Sequence, residues 1–578
     1  MKRLWNIVRF AMLGAVTAVA LAACGGGGGS SSTPTPAAST LSGTAAAGAP
    51  IIGRVFIKDS TTPTAKEKNV PIEADGKYTV DVSDMKAPFM VRADGYVGGN
   101  EYHLYSAATA ADVGGTINIT PLTDLIVANI AKTVASDYYD SGKFSTLTAA
   151  DLKTQTDALS AKLQPILAAV GVSSSIDLLR ASFATDHTGL DAVLDVLRVD
   201  TTVSAGTVTA TITNIINQSQ ITSNITTGTS TGTLTDTGVA TGVTDIQAIS
   251  AGFKAFSDLF ATSLPSDTNA TLLGLFDSAT FMQEGQSLAA FLSEITTDKS
   301  IIGISFANIS IKSMDMTNGK AVVGFSVIQN GMLANDAPDT WSMIKKSDGK
   351  WYMQGDQRIA DVEVEAAAEY QVSNTTNPIA TGLRLHIEDR GGKGFTSAVV
   401  TGAGLPSGGV TLINNIANDY FEIQGGYGNH YAMTDTAINA IADTGEIYTV
   451  NLYIGTTVAA TYTEKLLKRP YLNTELTTAS FPAITSPTIS QMRAFTGGNG
   501  TVSWTLPAGL TNDWLSVQMN DDLGNSARVE FSLAPADLSK AFTLNPVTST
   551  GQTFTPTGGG IWLSAWDSYG RQLAMSMW

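Results

Sequence analysis

Residues 72–82 read Ile-Glu-Ala-Asp-Gly-Lys-Tyr-Thr-Val-Asp-Val, IEADGKYTVDV, and they set the class of the fold. Asp75-Gly76 is a two-residue signal for a type I′ hairpin turn, where both central positions need positive φ. Tyr78, Val80 and Val82 then alternate, so the strand that follows has one apolar face. Upstream, GAPIIGRVFIKD (48–59) puts Val55 and Ile57 on one strand face. Downstream, APFMVRADGY (87–96) adds another strand. Residues 41–105 therefore read as a small β-sandwich.

The same stretch carries a resemblance. Gly43-Thr44, Gly48-Ala49-Pro50, Gly53, Asp75-Gly76-Lys77-Tyr78 and Ala87-Pro88-Phe89 are similar to the carboxypeptidase-regulatory-like, transthyretin-like domains of bacterial surface lipoproteins. The resemblance implies a seven-stranded sandwich with a spacer or assembly role, and no peptidase activity.

The N-terminus points to the same compartment. Phe10 to Ala23 is an uncharged apolar run preceded by Lys2, Arg3 and Arg9, the order of an export signal. At 1.5 Å per residue it spans roughly 21 Å, short of a ~30 Å bilayer core. LAACGGGGGS (21–30) follows and holds the only cysteine, Cys24. Leu21-Ala22-Ala23-Cys24 resembles the bacterial lipobox. The resemblance implies that residues 1–23 are a lipoprotein signal peptide, and that Cys24 carries diacylglycerol and a further acyl chain such as palmitate. It also implies that the protein meets the membrane through that lipid. Gly25 stands where an aspartate would favour the inner membrane, so the outer membrane is expected. Residues 24–40, rich in Gly, Ser, Thr and Pro, form a flexible tether.

Composition excludes other partners. Loss of the signal leaves 31 basic against 51 acidic residues, a formal charge of −20. Such a polyanion repels nucleic acid. With one cysteine there is no intramolecular disulfide, so stability comes from packing.

Beyond the first sandwich, the pattern alternates between helix and strand. Thr120-Pro121 caps a helix whose Leu122, Leu125, Ile126, Ile130 and Val134 share a stripe. A second helix over 149–170 faces Leu152, Leu159, Leu163, Leu167 and Val170 inward, and DHTGLDAVLDVLRV (186–199) is a short third, followed by a strand over 207–216. Residues 106–217 thus read as mainly helical, and the Thr/Gly/Ser stretch 218–244 as a linker. Ile246, Ile249, Phe253, Phe256 and Phe260 mark a strongly amphipathic helix. Strands follow over 301–313, 319–330, 339–346 and 350–364, with a hairpin at Asp348-Gly349 patterned by Trp341, Met343, Trp351 and Met353. This order makes 245–369 similar to a ketosteroid-isomerase-like cone. Residues 370–485 alternate as a β-sandwich. Residues 486–578, with GTVSWTLP and a last hairpin around Ser568-Tyr569-Gly570, are similar to fibronectin type III. The expected fold class is multidomain and mainly β, with a central α-helical region and an α+β cone-like domain.

Chemistry-bearing motifs are scarce. His103, His187, His386 and His430 each stand alone in their segments, with no HExxH or CxxC pair, so no metal site, cofactor or catalytic residue is assigned. Asp186-His187 with Asp191 is the one acid–histidine cluster, and a helix N-terminus accounts for it. NDDLGN (520–525) holds Asp521 and Asp522 but reads as a turn. Asp356 and Asp361 lie near the cone but carry no assignable role. Trp562 and Trp566 are the candidate ligand-binding pair, since even spacing aligns two indoles that can stack on sugar rings; the same spacing also suits two indoles that fill the core of a small sandwich, which is the preferred reading. The preferred function is a lipid-anchored, non-catalytic binding, adhesion or assembly protein of the envelope, partnered by polysaccharide or other envelope proteins. The alternatives are a carbohydrate-binding lipoprotein and an enzyme using a pocket in the cone near Trp341 and Trp351.

Overall fold

The computed structural model describes residues 39–578 apart from 99, 330–331, 334–338, 377, 416–419, 427, 535–536, 549 and 568. Residues 1–23, read as a signal peptide, Cys24, most of the stretch 24–40 read as a tether, and Ser568 lie outside the described residues.

In the first sandwich, Glu67–Pro71, Ile52–Asp59, Phe89–Val97 and Asn100–Ala108 form one sheet in that order, and Thr40–Thr44 pairs with Lys77–Asp81 in the other. These six strands stand where the resemblance implied seven. The type I′ hairpin is absent. Of the two turn residues only Gly76 takes positive φ, at 83°. Its N–H donates to Glu73 O at 2.9 Å, and the flanking strands pair with different neighbours. The turn carries the chain from one sheet to the other because Tyr78, Val80 and Val82 bury their shared face between the two. Tyr78 Oη donates to Ile117 O at 2.6 Å. Gly43 lies beside that carbonyl, where a Cβ would fall 1.8 Å from the oxygen, so no larger residue fits.

Thr120 opens the helix Pro121–Ala131 as expected. Its Oγ1 accepts the Thr123 N–H at 3.2 Å, and Thr123 Oγ1 accepts the Thr120 N–H at 2.8 Å. Thr123 Oγ1 also donates to Tyr105 O at 3.0 Å, fastening the helix to the sandwich. Replacing Thr120 by alanine is expected to cost ~1 kcal/mol by orphaning that first-turn donor; an unchanged urea midpoint would contradict the capping role.

Residues 106–217 are less helical than expected. Helices Ala149–Ala169 and Gly189–Val196 form, but a four-stranded meander follows: Leu197–Ser204, Thr207–Asn214, Gln220–Asn224 and Thr229–Gly232. The last two strands, and the start of helix Val239–Phe260, occupy the segment read as a linker. Ile221, Ile225, Leu234 and Val239 are buried there. Four anchors among many Thr and Ser residues suffice for a thin sheet with one covered face, and are too few for periodicity to reveal.

In the cone, Ile304–Asp315, Lys320–Gln329, Asp339–Lys345 and Trp351–Gly355 line up as one antiparallel sheet over helix Val239–Phe260. The Asp348-Gly349 hairpin forms, with Gly349 at φ 80° and Met343 facing Met353. The interior is solid. Trp341 has ring centroids of Phe306 and Phe325 at 5.4 Å and of Phe253 at 5.9 Å. Phe291, Phe276 and Phe256 close the remaining sides at 6.2, 6.3 and 6.4 Å. Trp351 is half-buried and gives its Nε1–H to Asp245 Oδ1 at 3.0 Å. The space assigned to a catalytic pocket is therefore filled by aromatic rings. One continuous core runs from Ala46 of the first sandwich through the helices to Met353.

The boundaries drawn at 369 and 485 do not hold. Strand Asp361–Gln371 leaves the cone and enters a seven-stranded sheet in the order His430–Ala432, Ile379–Glu388, Asp361–Gln371, Gln572–Met577, Gly558–Trp566, Thr511–Asn520, Ser526–Ser532. Its centre is a parallel pairing, Ala367 opposite Gln572 through Gln371 opposite Ser576. A five-stranded sheet packs against one end of it and a three-stranded sheet against the other. The fibronectin-like unit thus shares its main sheet with the preceding sandwich. The protein is mainly β and multidomain, with helices concentrated before residue 296 and a cone-like α+β unit.

Candidate functional site

Strand Asp361–Gln371 has apolar Val362, Val364 and Ala366 on one face and Asp361, Glu363 and Glu365 on the other. Its antiparallel neighbour sets Glu388, His386 and Arg384 opposite those three acids. Alternation normally sends such residues to water. Here Asp361, Glu363 and His386 are buried, because the segment around Glu284, below the cone, covers that end of the sheet. Arg390 resolves the charge. Its guanidinium lies 3.0 Å from Asp361, 3.2 Å from Glu388 and 3.4 Å from Glu284. Burial alone pushes the Asp361 carboxyl up, but the neighbouring His386, 3.8 Å away, and the positive Arg390 outweigh it and hold it well below the usual range. Asp356, buried beside Glu284, is pushed up to about 7. Asp361, His386 and Glu388 have the donor types of a metal site. The guanidinium already supplies the cation among them, so this cluster is an ion-pair clamp joining the cone to the C-terminal half.

A second cluster lies between helix Gly189–Val196 and helix Val239–Phe260. His187 Nδ1 is 2.9 Å from Asp195 Oδ2, and its Nε2 is 3.1 Å from Ser250 Oγ. The His187 N–H donates to Asp191 Oδ2 at 2.7 Å, which requires a left-handed backbone, φ 61°. Burial, with Asp195 nearby, pushes Asp191 up to about 7. Burial also raises Asp195 against the pull of His187. On His187 burial acts downward, and the surrounding acids outweigh it to raise the imidazole. Serine, histidine and aspartate in this order resemble the bonding of a nucleophilic triad. Ser250, however, sits inside a 22-residue helix whose interior N–H groups are bonded within the helix. No pair of free N–H donors flanks it to hold an oxyanion, which acyl transfer needs.

The histidines are thus less isolated than their segments suggested. His103 lies 3.0 Å from Asp94 and 3.4 Å from Glu101 at the surface, and His187 and His386 face buried acids. Asp186-His187-Asp191 was visible in the sequence. Asp195 and Ser250, at separations of 8 and 63 residues, were not. The expected helix start is at Gly189 with Thr188 in the N-cap position, but neither Thr188 nor Asp186 caps its first turn; Asp186 instead accepts the Thr188 N–H at 3.1 Å. Asp521 accepts the N–H groups of Leu523 and Asn525, so NDDLGN is the turn it was read to be. Trp562 and Trp566 form no open platform. Trp566 is 2 % exposed and Trp562 half-buried, because both faces of strand Gly558–Trp566 are covered.

Neither a protein-family model nor a curated protein matches the chain. Among solved structures, a 1.5-MDa bacterial ice-binding adhesin is 11 % identical, with 37 % of this chain and 62 % of that one covered and a TM-score of 0.12. A tetra-tandem repeat from the extending region of a large adhesion protein is 10 % identical, covering 93 % and 98 %, again at 0.12. The first three fibronectin domains of chicken CNTN1 are 11 % identical, covering 46 % and 96 %, at 0.13. TM-scores this low describe no shared overall fold, and nothing about function follows from them.

Proposed function

We propose that this chain is a lipid-anchored protein of the bacterial cell envelope, its outer membrane in particular, acting as a non-catalytic binding, adhesion or assembly module. The observation that carries the reading is Cys24: the only thiol, placed directly after an apolar run with a basic start. Among the described residues the first strand begins at Thr40. The continuous core from Ala46 to Met353 and a sheet shared across the last two units support a stiff body rather than beads on a string. The first sandwich fits a six-stranded transthyretin-like spacer. No helix among the described residues is long and apolar enough to cross a membrane. The enzyme reading lacks its pocket near Trp341, and the carbohydrate reading lacks its pair, since Trp566 is buried and Trp562 half-buried.

Acyl chains contribute ~0.8 kcal/mol per buried methylene, so two or more chains anchor stably where a bare N-terminus does not. Radiolabelled palmitate is expected in the wild-type protein and at background in Cys24→Ala, which should also leave the membrane fraction. Equal labelling of both would overturn the assignment.

A further inference from the structure

We propose that His187, Asp191 and Asp195 form a binding site for one divalent first-row transition-metal ion, with zinc as the ion that best suits the donors. One imidazole nitrogen and two carboxylates lie within 4.8 Å of one another. Asp191 and Asp195 are one helical turn apart and share a face, and the left-handed turn at His187 swings its ring over that face. These are the donor types zinc accepts, and a water completes a four-coordinate shell.

Four further observations separate this cluster from a helix-capping arrangement. Asp191 is fully buried, yet its Oδ1 has no hydrogen-bond partner among the described residues; such an atom is costly unless something binds it. No lysine or arginine pairs with Asp191 or Asp195 among the described residues, in contrast to the Arg390 clamp, where a guanidinium occupies the centre. The second ring nitrogen of His187 is held by Ser250 Oγ, the kind of outer contact that orients a ligating histidine. Finally, Asp195 lines a cavity of about 750 Å³ bordered by Ala47 and Gly48 of the first sandwich, which gives an ion a way in and room for its water. Gln247 Nε2 donates to His187 O at 2.9 Å, so helix Val239–Phe260 already holds the His187 loop in place, and the ion would fix that loop on helix Gly189–Val196.

The test is dialysis of the full chain, in detergent, against buffered zinc, followed by metal counting. One equivalent is expected, falling to background in His187→Ala and in the isosteric Asp195→Asn. Ser250→Ala keeps all three ligands and should weaken binding roughly 10–100-fold. Cobalt in place of zinc should give a visible d–d band that His103→Ala leaves intact. Far-UV circular dichroism identifies any variant that fails to fold, and the wild-type band and Ser250→Ala then still decide. A wild-type chain that retains no zinc and shows no cobalt band overturns the proposal. So does a folded His187→Ala that retains as much metal as wild type.

Discussion

Arg390→Met is expected to destabilise the protein by about 3–5 kcal/mol at neutral pH, read as a lower urea midpoint for the C-terminal half. Arg390 is 10 % exposed, and its three partners Asp361, Glu388 and Glu284 are 0 %, 20 % and 1 % exposed at their side chains. Methionine roughly keeps the length and removes the charge, leaving the buried carboxylates without the guanidinium between them. The energy lost is mostly the penalty of stranding those charges, not the net value of the pair. The pH dependence follows from Asp361. Its folded value is depressed, so its stabilisation is fully present above the unfolded value of ~3.9 and is lost as pH falls through the folded value. Without Arg390 the buried carboxyl takes a proton more readily, and acid relieves the variant. The stability gap between wild type and Arg390→Met should therefore be widest near pH 7 and narrow below about pH 4. A gap that stays constant between pH 7 and pH 3 would show that Arg390 acts through packing alone.

Trp341→Ala is expected to cost ~3–5 kcal/mol, through lost transfer energy and the cavity left behind. The ring is 2 % exposed and is surrounded by six phenylalanines with centroids 5.4–6.4 Å away. Helix Val239–Phe260 supplies Phe253 and Phe256, and the sheet supplies Phe306 and Phe325, so the indole joins the two layers of the cone. A void of that size lined by aromatic rings stays dry and accepts small apolar molecules. Free indole should raise the melting temperature of Trp341→Ala and leave wild type unmoved. If the variant melts like wild type, the cone is not packed as described, and a hollow interior returns as a candidate site.

Much of the local structure was legible. The stripe Ile246-Ile249-Phe253-Phe256-Phe260 became the buried face of a helix, and Asp348-Gly349 became a hairpin. Both signals act within a few residues of themselves. Asp75-Gly76 shows where that reach ends: the turn forms at Gly76, but the strands on either side pair elsewhere. The candidate site was half legible for the same reason. Asp186, His187 and Asp191 sit within six positions, whereas Arg390 meets Glu284 across more than a hundred residues and His187 meets Ser250 across 63. Even spacing placed Trp562 and Trp566 on one face of a strand, and spacing carries no information about what covers that face.

From its sequence alone, this protein had its strand-rich class, its turns and helix stripes, its acidity and its single cysteine. These depend on backbone preference, side-chain period and charge, which each residue carries with it. Only the tertiary structure decided that strand Asp361–Gln371 lies beside Gln572–Met577, that aromatic rings fill the cone, and that buried acids gather around Arg390 and His187. Those outcomes depend on which distant surfaces exclude water from one another, and an apolar face shows that it must be buried without naming the face that will bury it.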